Sequence, residues 1–184
     1  MHRNTLAAHS TALVVVDIQE AFREAIPDSL TVIERTVIAV QGFQVLGVPV
    51  IVTEQYPKGL GRTVEEILLS LADDVSVIEK STFSACGSSE FVERLRTGGI
   101  ETVVLSGVEA HVCVNQTAHD LLADGVAVHL LTDAVSSRTE ADKDAGIQKM
   151  FQSGVVPSSV EMALFELMRD SRHPHFKEIQ ALIK

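Results

Sequence analysis

Three side chains of complementary reactivity stand far apart in this sequence: the carboxyl of Asp17, the amine of Lys80 and the thiol of Cys113. If the fold brings them together, the Lys80 ammonium would lower the pKa of the thiol and Asp17 would take its proton. The resulting Cys113 thiolate could attack an electrophilic carbon, and Asp17 could return the proton to a leaving amine. This chemistry predicts hydrolysis of an amide, or of a similar carbonyl compound, through a thioester.

Each of these residues also has a simpler explanation when it is taken alone. Asp17 could cap a turn, Lys80 could be a solvated loop residue, and Cys113 could be a small core residue, because free cysteines are among the most buried side chains. The elements that carry the three residues must therefore decide between the two interpretations.

Continuous apolar runs alternate with amphipathic segments along the whole chain. The pattern predicts strands at residues 12–16, 50–53, 75–78, 102–105, 126–131 and 155–156. It predicts helices at residues 30–46, 64–71, 89–96, 112–124, 140–153 and 159–168. We expect one domain over residues 1–184 with an α/β fold: a three-layer, doubly wound (Rossmann-like), mainly parallel six-stranded sheet with helices on both faces.

This fold predicts where the reactive residues lie. In open α/β sheets the ligand crevice lies at the carboxyl ends of the strands, where the strand order reverses. Asp17, Glu54, Lys80, residues 107–113 and Asp133 all follow predicted strands. The break at Ser106-Gly107 also puts Cys113 in the first turn of the predicted helix 112–124, where the helix dipole favours a thiolate and backbone N–H groups could stabilise an oxyanion.

The composition excludes several classes of function. The 184-residue chain has a formal net charge of -10, which opposes binding to nucleic acid or to anionic membranes. Its two cysteines do not make a disulfide framework, and its longest early apolar run is too short for a membrane span or a secretory segment. We therefore expect a cytoplasmic protein that acts on a small molecule.

Three motifs resemble the isochorismatase-like cysteine hydrolases, a family that includes nicotinamidases and N-carbamoylsarcosine amidases. They are residues 14–19 with Phe22, residues 79–85 and residues 107–114. The resemblance implies an Asp-Lys-Cys triad of Asp17, Lys80 and Cys113. It also implies a non-proline cis peptide between Val108 and Glu109, with the amides of Glu109 and Cys113 as oxyanion donors, and a homo-oligomer, either a dimer or a tetramer. Residues 53–61, 133–138 and 173–179 are similar to the subgroup of isochorismatase domain-containing protein 2.

Departures from the family pattern restrict the chemistry. Nicotinamidases carry an Asp-x-His metal pair after the second strand, where this chain has Glu54-Gln55-Tyr56, so we expect no catalytic metal. Residues 59–62 lack the spacing of a dinucleotide fingerprint, and we expect no cofactor. Members that cleave the enol ether of isochorismate do not need a cysteine nucleophile, so Cys113 favours C–N hydrolysis and leaves enol ether hydrolysis as the weaker alternative.

Four residues are predicted to contact the substrate. Phe22 and Phe83 stand beside triad residues and would form an apolar wall, and Tyr56 and Leu60 belong to a loop that would cover the pocket. Such a pocket suits a small planar or short aliphatic amide.

Two further alternatives stay open. Cys86 could line the pocket or pair transiently with Cys113 as a redox switch. The whole chain could also be a non-enzymatic or redox-responsive interaction protein that keeps the fold. His111 is not expected to serve as the base, because side chains two apart on a helix do not face each other.

Overall fold

The structure, a computed structural model, describes His2 and residues 4–184. Over these residues the strands are β1 Thr11–Val16, β2 Val50–Gln55, β3 Val77–Lys80, β4 Thr102–Val108, β5 Ala127–Ser136 and β6 Val156–Ser158. The α-helices are α1 Glu20–Arg23, α2 Ser29–Val45, α3 Pro57–Leu60, α4 Glu65–Ser70, α5 Ser89–Thr97, α6 Asn115–Ala123, α7 Glu140–Gln152, α8 Val160–Met168 and α9 Phe176–Ile183.

The strands form one sheet in the order β3-β2-β1-β4-β5-β6, and neighbouring strands run parallel. The chain first moves outward from β1 to β3 and then returns to β4 on the other side of β1. The strand order therefore reverses between β1 and β4, which places the ligand crevice at their carboxyl ends. The predicted doubly wound fold is confirmed, with a sheet that is parallel throughout.

Both faces of the sheet are buried, which explains the continuous apolar strands. In β1, Leu13 and Val15 face one core, whereas Val14 and Val16 face the other. Helices α2, α4, α8 and α9 contribute to the first core, and α5, α6 and α7 contribute to the second. Within the described residues, no helix combines the length and apolarity needed to cross a membrane.

Strand β5 is longer than the sequence pattern predicted. The prediction ended it at residue 131 because the polar residues Thr132 and Asp133 follow, but the strand continues to Ser136. Both polar side chains find partners: the Thr132 hydroxyl donates to the Ser158 carbonyl over 3.0 Å, and Asp133 Oδ1 accepts from the Val160 N–H over 3.0 Å. Asp133 therefore binds the start of α8, and the prediction that it follows the end of its strand was wrong.

Candidate active site

Asp17 and Lys80 form a buried ion pair at the edge of the sheet. Lys80 Nζ lies 2.6 Å from Asp17 Oδ2, and each side chain is only 1% exposed. Lys80 ends β3 and must reach across β2 to the end of β1. Gln55, its register partner in β2, lies between them and accepts a hydrogen bond from Lys80 Nζ over 2.9 Å.

The Lys80 ammonium is fully occupied by oxygen atoms. Besides Asp17 and Gln55, it donates to the carbonyl oxygens of Thr82, over 3.2 Å, and Phe83, over 3.0 Å. Its three N–H groups therefore face four acceptors. A buried charge is tolerated when it is paired and hydrogen-bonded in this way, and the contacts fix the position of the ammonium.

Backbone geometry turns the Asp17 carboxylate into the crevice. Asp17 has φ 54°, a left-handed conformation that non-glycine residues rarely adopt. Thr53 in β2 holds it there: its hydroxyl donates to Asp17 Oδ1 over 2.7 Å, and its carbonyl accepts from the Asp17 N–H over 3.2 Å. Such conformations cost about 1–3 kcal/mol and persist only where the surroundings fix them.

Gly107 allows β4 to lie close to β1 at this point. It has φ 124°, and a Cβ atom added there would overlap the backbone of Val16, the residue before Asp17. Only glycine accommodates this close approach. The chain after β4 is thereby brought next to Asp17.

The segment after β4 is not the helix start that the sequence pattern predicted. The Val108–Glu109 peptide bond is cis, and Ala110–Val114 forms a π-helical turn. The Glu109 carbonyl accepts from the N–H groups of Val112, over 3.0 Å, and Val114, over 3.2 Å, and not from that of Cys113. The regular helix α6 begins only at Asn115, so Cys113 lies in the turn before it.

The Cys113 thiol is buried close enough to Asp17 and Lys80 for both charges to act on it. Burial, and after it the negative charge of Asp17, raises the pKa of the thiol to about 12, while the positive charge of Lys80 acts in the opposite direction. The predicted lowering of the thiol pKa was therefore wrong, because desolvation and a neighbouring carboxylate outweigh the ammonium. In this arrangement the resting group is a neutral thiol beside a base.

Glu109 is held by the chain after β5. Its Oε1 atom accepts from Arg138 Nε over 2.8 Å and from the Arg138 N–H over 3.2 Å. The neighbouring Ser137 hydroxyl lies 3.0 Å from His111 Nδ1. The structure thus gives His111 a partner in Ser137 and fixes the Cys113 turn from outside the crevice.

The four predicted substrate contacts are not gathered in one cavity. Tyr56 and Phe83 are 58% and 53% exposed and flank Lys80: the Tyr56 N–H donates to the Lys80 carbonyl over 2.9 Å. Phe22 packs against the core and lines a small apolar cavity beside Val108. Leu60 is half-buried at the end of α3.

Gln19 is a site residue that the sequence analysis missed. Its fully buried side chain donates to the carbonyls of Gly61, over 2.6 Å, and Gln55, over 3.1 Å, and accepts from the Gln55 N–H over 2.7 Å. It thereby ties both ends of Tyr56–Gly61, which we name the covering segment. The signal was its position two residues after Asp17, but only the register of β2 shows what it binds.

Cys86 and Cys113 are both free thiols and belong to the same hydrophobic core. Cys86 is half-buried, and burial raises its pKa to about 11. The N–H group of the preceding Ala85 donates to the Thr117 hydroxyl of α6 over 2.9 Å. Transient pairing of the two cysteines stays an alternative.

The end of β2 does not fit a divalent metal. Both carboxylate oxygens of the buried Glu54 are used: Oε1 accepts from the N–H and hydroxyl of Thr63, over 2.6 Å and 2.8 Å, and Oε2 binds Arg62 over 2.8 Å. No group of three or more His, Cys, Asp or Glu residues that could hold a metal occurs among His2 and residues 4–184. We route no chemistry through a metal.

The sequence was compared with known proteins. The family profile described as the isochorismatase domain matches residues 11–162, which include Asp17, Lys80 and Cys113. Isochorismatase domain-containing protein 1 of Salmo salar is 43% identical over 178 residues, which are 95% of this chain and 61% of that protein. The chain thus spans about three fifths of that relative's length. Isochorismatase domain-containing protein 2 of Danio rerio is 38% identical over 97% of this chain and 89% of its own length.

Two further matches extend over nearly the whole chain. The secreted isochorismatase effector Isc1 of Phytophthora sojae is 44% identical, covering 97% of this chain and 87% of its own. The solved structure of the MAR1 ribonuclease from Caenorhabditis elegans is 39% identical, with a TM-score of 0.88 over 97% of this chain and 92% of that one. The fold, the profile and these relatives agree, and the chain belongs to the isochorismatase family.

Proposed function

We propose that this protein is a metal-independent cysteine hydrolase that cleaves a C–N bond of a small amide through a thioester on Cys113. One observation carries the proposal: at the strand-order reversal, Asp17 binds the Lys80 ammonium, and the charges of both act on the buried Cys113 thiol. A base, a fixed positive charge and a nucleophile close together form the minimum set for acyl transfer.

The first half of the reaction acylates the enzyme. Cys113 Sγ attacks the amide carbon while its proton moves to Asp17, and the carbonyl oxygen becomes an oxyanion. The N–H groups of Glu109 and Cys113 would stabilise this charge, a contribution of about 3–4 kcal/mol for a well-placed donor. The C–N bond then breaks, Asp17 gives its proton to the leaving nitrogen, and a thioester is left on Cys113.

The second half releases the acid. Asp17 takes a proton from a water molecule as the water oxygen adds to the thioester carbon. The C–S bond then breaks and Asp17 returns the proton to Cys113 Sγ. A carboxylic acid leaves, and both side chains regain their starting states.

The surroundings favour a small, uncharged amide as the substrate. Tyr56 and Phe83, which are exposed beside Lys80, would supply apolar contacts to the substrate. The net charge of -10 argues against a nucleic-acid partner. The proposal includes a cytoplasmic location and assembly as a dimer or tetramer. The location needs a direct test, because the relative from Phytophthora sojae is named a secreted effector.

Intact mass spectrometry tests the proposal directly. The wild type and Cys113→Ala are incubated with a pool of small amides, ureas and electrophilic carbonyl probes. A covalent adduct on the wild type alone is expected, and its mass gives the acyl group. Hydrolysis by Cys113→Ala at the wild-type rate would contradict the thioester mechanism.

Hydrolysis of an enol ether is the second candidate, because one relative is named an isochorismatase effector. Here the cysteine is not needed as a nucleophile, so Cys113→Ala would keep its activity on isochorismate. Incubation with RNA is a separate experiment that measures RNA cleavage, because one similar structure carries the name ribonuclease. The redox-responsive alternative is disfavoured, since a buried thiol with a pKa of about 12 is a poor target for peroxide.

A further inference from the structure

Arg62 joins two carboxylates on neighbouring strands. Its Nη1 atom lies 2.8 Å from Glu54 Oε2 and 2.7 Å from Glu79 Oε1. Glu54 and Glu79 are direct register partners of β2 and β3, and like charges in such positions repel each other. The Glu54 side chain is only 2% exposed, so its charge needs a partner within the protein.

Glu54 connects this charge to the covering segment. Its other oxygen binds Thr63 through both the backbone N–H and the hydroxyl, and Thr63 follows the covering segment by two residues. The next residue in β2, Gln55, binds Lys80 Nζ. Glu54 therefore fixes the end of the covering segment on the strand that positions the triad.

We propose that Arg62 is a positioning residue whose guanidinium serves as a built-in cation at the end of β2, keeping Glu54 and Glu79 together and the covering segment in place beside Lys80. The guanidinium is accessible from outside, because the Arg62 side chain is 66% exposed and borders an open cavity with Leu68 and Val77. A metal cation of suitable size could therefore replace the guanidinium, provided that protein side chains coordinate the metal.

That requirement gives a test. Arg62→Ala removes the cation, Arg62→Lys keeps a charge, and Arg62→His places an imidazole beside two carboxylates, which is a ligand set that zinc accepts. Arg96→Ala is the matched control, because Arg96 is exposed and pairs with Glu93 on the same helix, α5. Hydrogen exchange of the amides from Gly59 to Thr63 is the measurement.

Exchange in Arg62→Ala should be about tenfold faster than in the wild type, because the Thr63 N–H loses a fixed acceptor. Arg62→Lys should stay within about threefold of the wild type. Arg62→His should exchange as fast as Arg62→Ala without metal and return to within about threefold of the wild type once it binds one zinc ion, measured by calorimetry. The wild type and Arg96→Ala should not respond to zinc.

Three results would overturn the proposal: unchanged exchange in Arg62→Ala, no zinc binding by Arg62→His, or zinc binding without slower exchange. The consequence for catalysis rests on the proposed function and is measured separately. With an identified substrate, Arg62→Ala should raise KM about tenfold and leave kcat within about threefold of the wild type. The reason is that Arg62 adjoins the covering segment and does not contact Asp17, Lys80 or Cys113. Hydrogen exchange needs no substrate, so failure of the hydrolase proposal leaves the exchange result valid.

Discussion

Replacing Asp17 with asparagine separates two effects that one carboxylate has on Cys113. Its charge raises the pKa of the thiol, and in our mechanism it also accepts and returns the thiol proton. The two effects respond to Asp17→Asn in opposite directions. The thiol should become easier to modify, while turnover should fall.

The size of the first effect follows from Coulomb's law for neighbouring charges. With a pKa of about 12, about three Cys113 thiols in 100,000 are ionised at pH 7.5. Two charges about 4 Å apart at an effective dielectric constant of about 20 interact by about 4 kcal/mol, which corresponds to about three pKa units. Nucleophilicity falls with pKa at a slope of about 0.5, so the labelling rate should rise about 30-fold.

The assay is the rate of Cys113 modification by a small disulfide reagent, followed by intact mass. Lys80→Met is the matched partner variant, because removing the ammonium takes away the charge that lowers the thiol pKa and should slow labelling. Both variants should lose turnover by about 10²- to 10⁴-fold. Because removing one member of a buried pair costs about 3–5 kcal/mol, thermal unfolding must first show that each variant is folded.

Equal or slower labelling in folded Asp17→Asn would refute the view that the carboxylate keeps the thiol neutral. Unchanged turnover in this variant would refute its role as the base. Faster labelling together with slower turnover supports both only in a variant that thermal unfolding has shown to be folded, because partial unfolding would also expose the buried thiol and stop turnover.

Three further predictions concern the geometry and protonation of the site. Gly107→Ala should lower the free energy of unfolding in urea by at least about 3 kcal/mol, because its Cβ would overlap Val16, whereas Gly99→Ala, also at positive φ but in open space, should cost about 1 kcal/mol. Gly146→Ala places a methyl group against the backbone of residues 110 and 111 and should reduce turnover about 10²-fold by displacing the Cys113 turn; wild-type activity would contradict this. Labelling of wild-type Cys113 should rise about tenfold per pH unit from about pH 7 to 10, because its pKa is about 12, and a plateau near neutral pH would show a stabilised thiolate instead.

The sequence was sufficient to predict the fold and the approach of Lys80 to Asp17. Continuous β-branched runs that end in Asp17 and Lys80 are typical of parallel strands buried on both faces, and topology brings their carboxyl ends to one edge. Strand ends were less predictable, because polar residues such as Asp133 continue a strand when a neighbouring element satisfies them.

The protonation state of Cys113 could not be obtained from the pattern. Sequence position suggested a helix N-terminus beside an ammonium, and both features favour a thiolate. The opposing factors, burial and the charge of Asp17, depend on distances that the pattern does not contain. The π-helical turn could not be predicted either, because the periodicity of residues 110–114 fits a regular α-helix equally well.

The amide side chains of Gln19 and Gln55 were missed for a related reason. Neither has chemistry of its own that marks it as functional. Their importance comes from the strand register. Gln55 lies between Lys80 and Asp17 because it pairs with Lys80 across β2 and β3. Gln19, two residues after Asp17, accepts a hydrogen bond from the Gln55 N–H. Aligning the carboxyl ends of the predicted strands would have suggested the contact between Gln55 and Lys80, but not the one between Gln19 and Gln55.

In the proposed mechanism, the hydrogen bonds of Lys80 determine which residue accepts the thiol proton. An ammonium that moves the thiol proton would need a free position facing Sγ, but its N–H groups already face four oxygen atoms, two of them backbone carbonyls that cannot turn away without moving residues 82 and 83. Asp17 has one oxygen bound to Lys80, and its other oxygen accepts from the Thr53 hydroxyl. In the proposed mechanism Lys80 therefore fixes the position of Asp17, and the proton that leaves Cys113 moves to the Asp17 carboxylate.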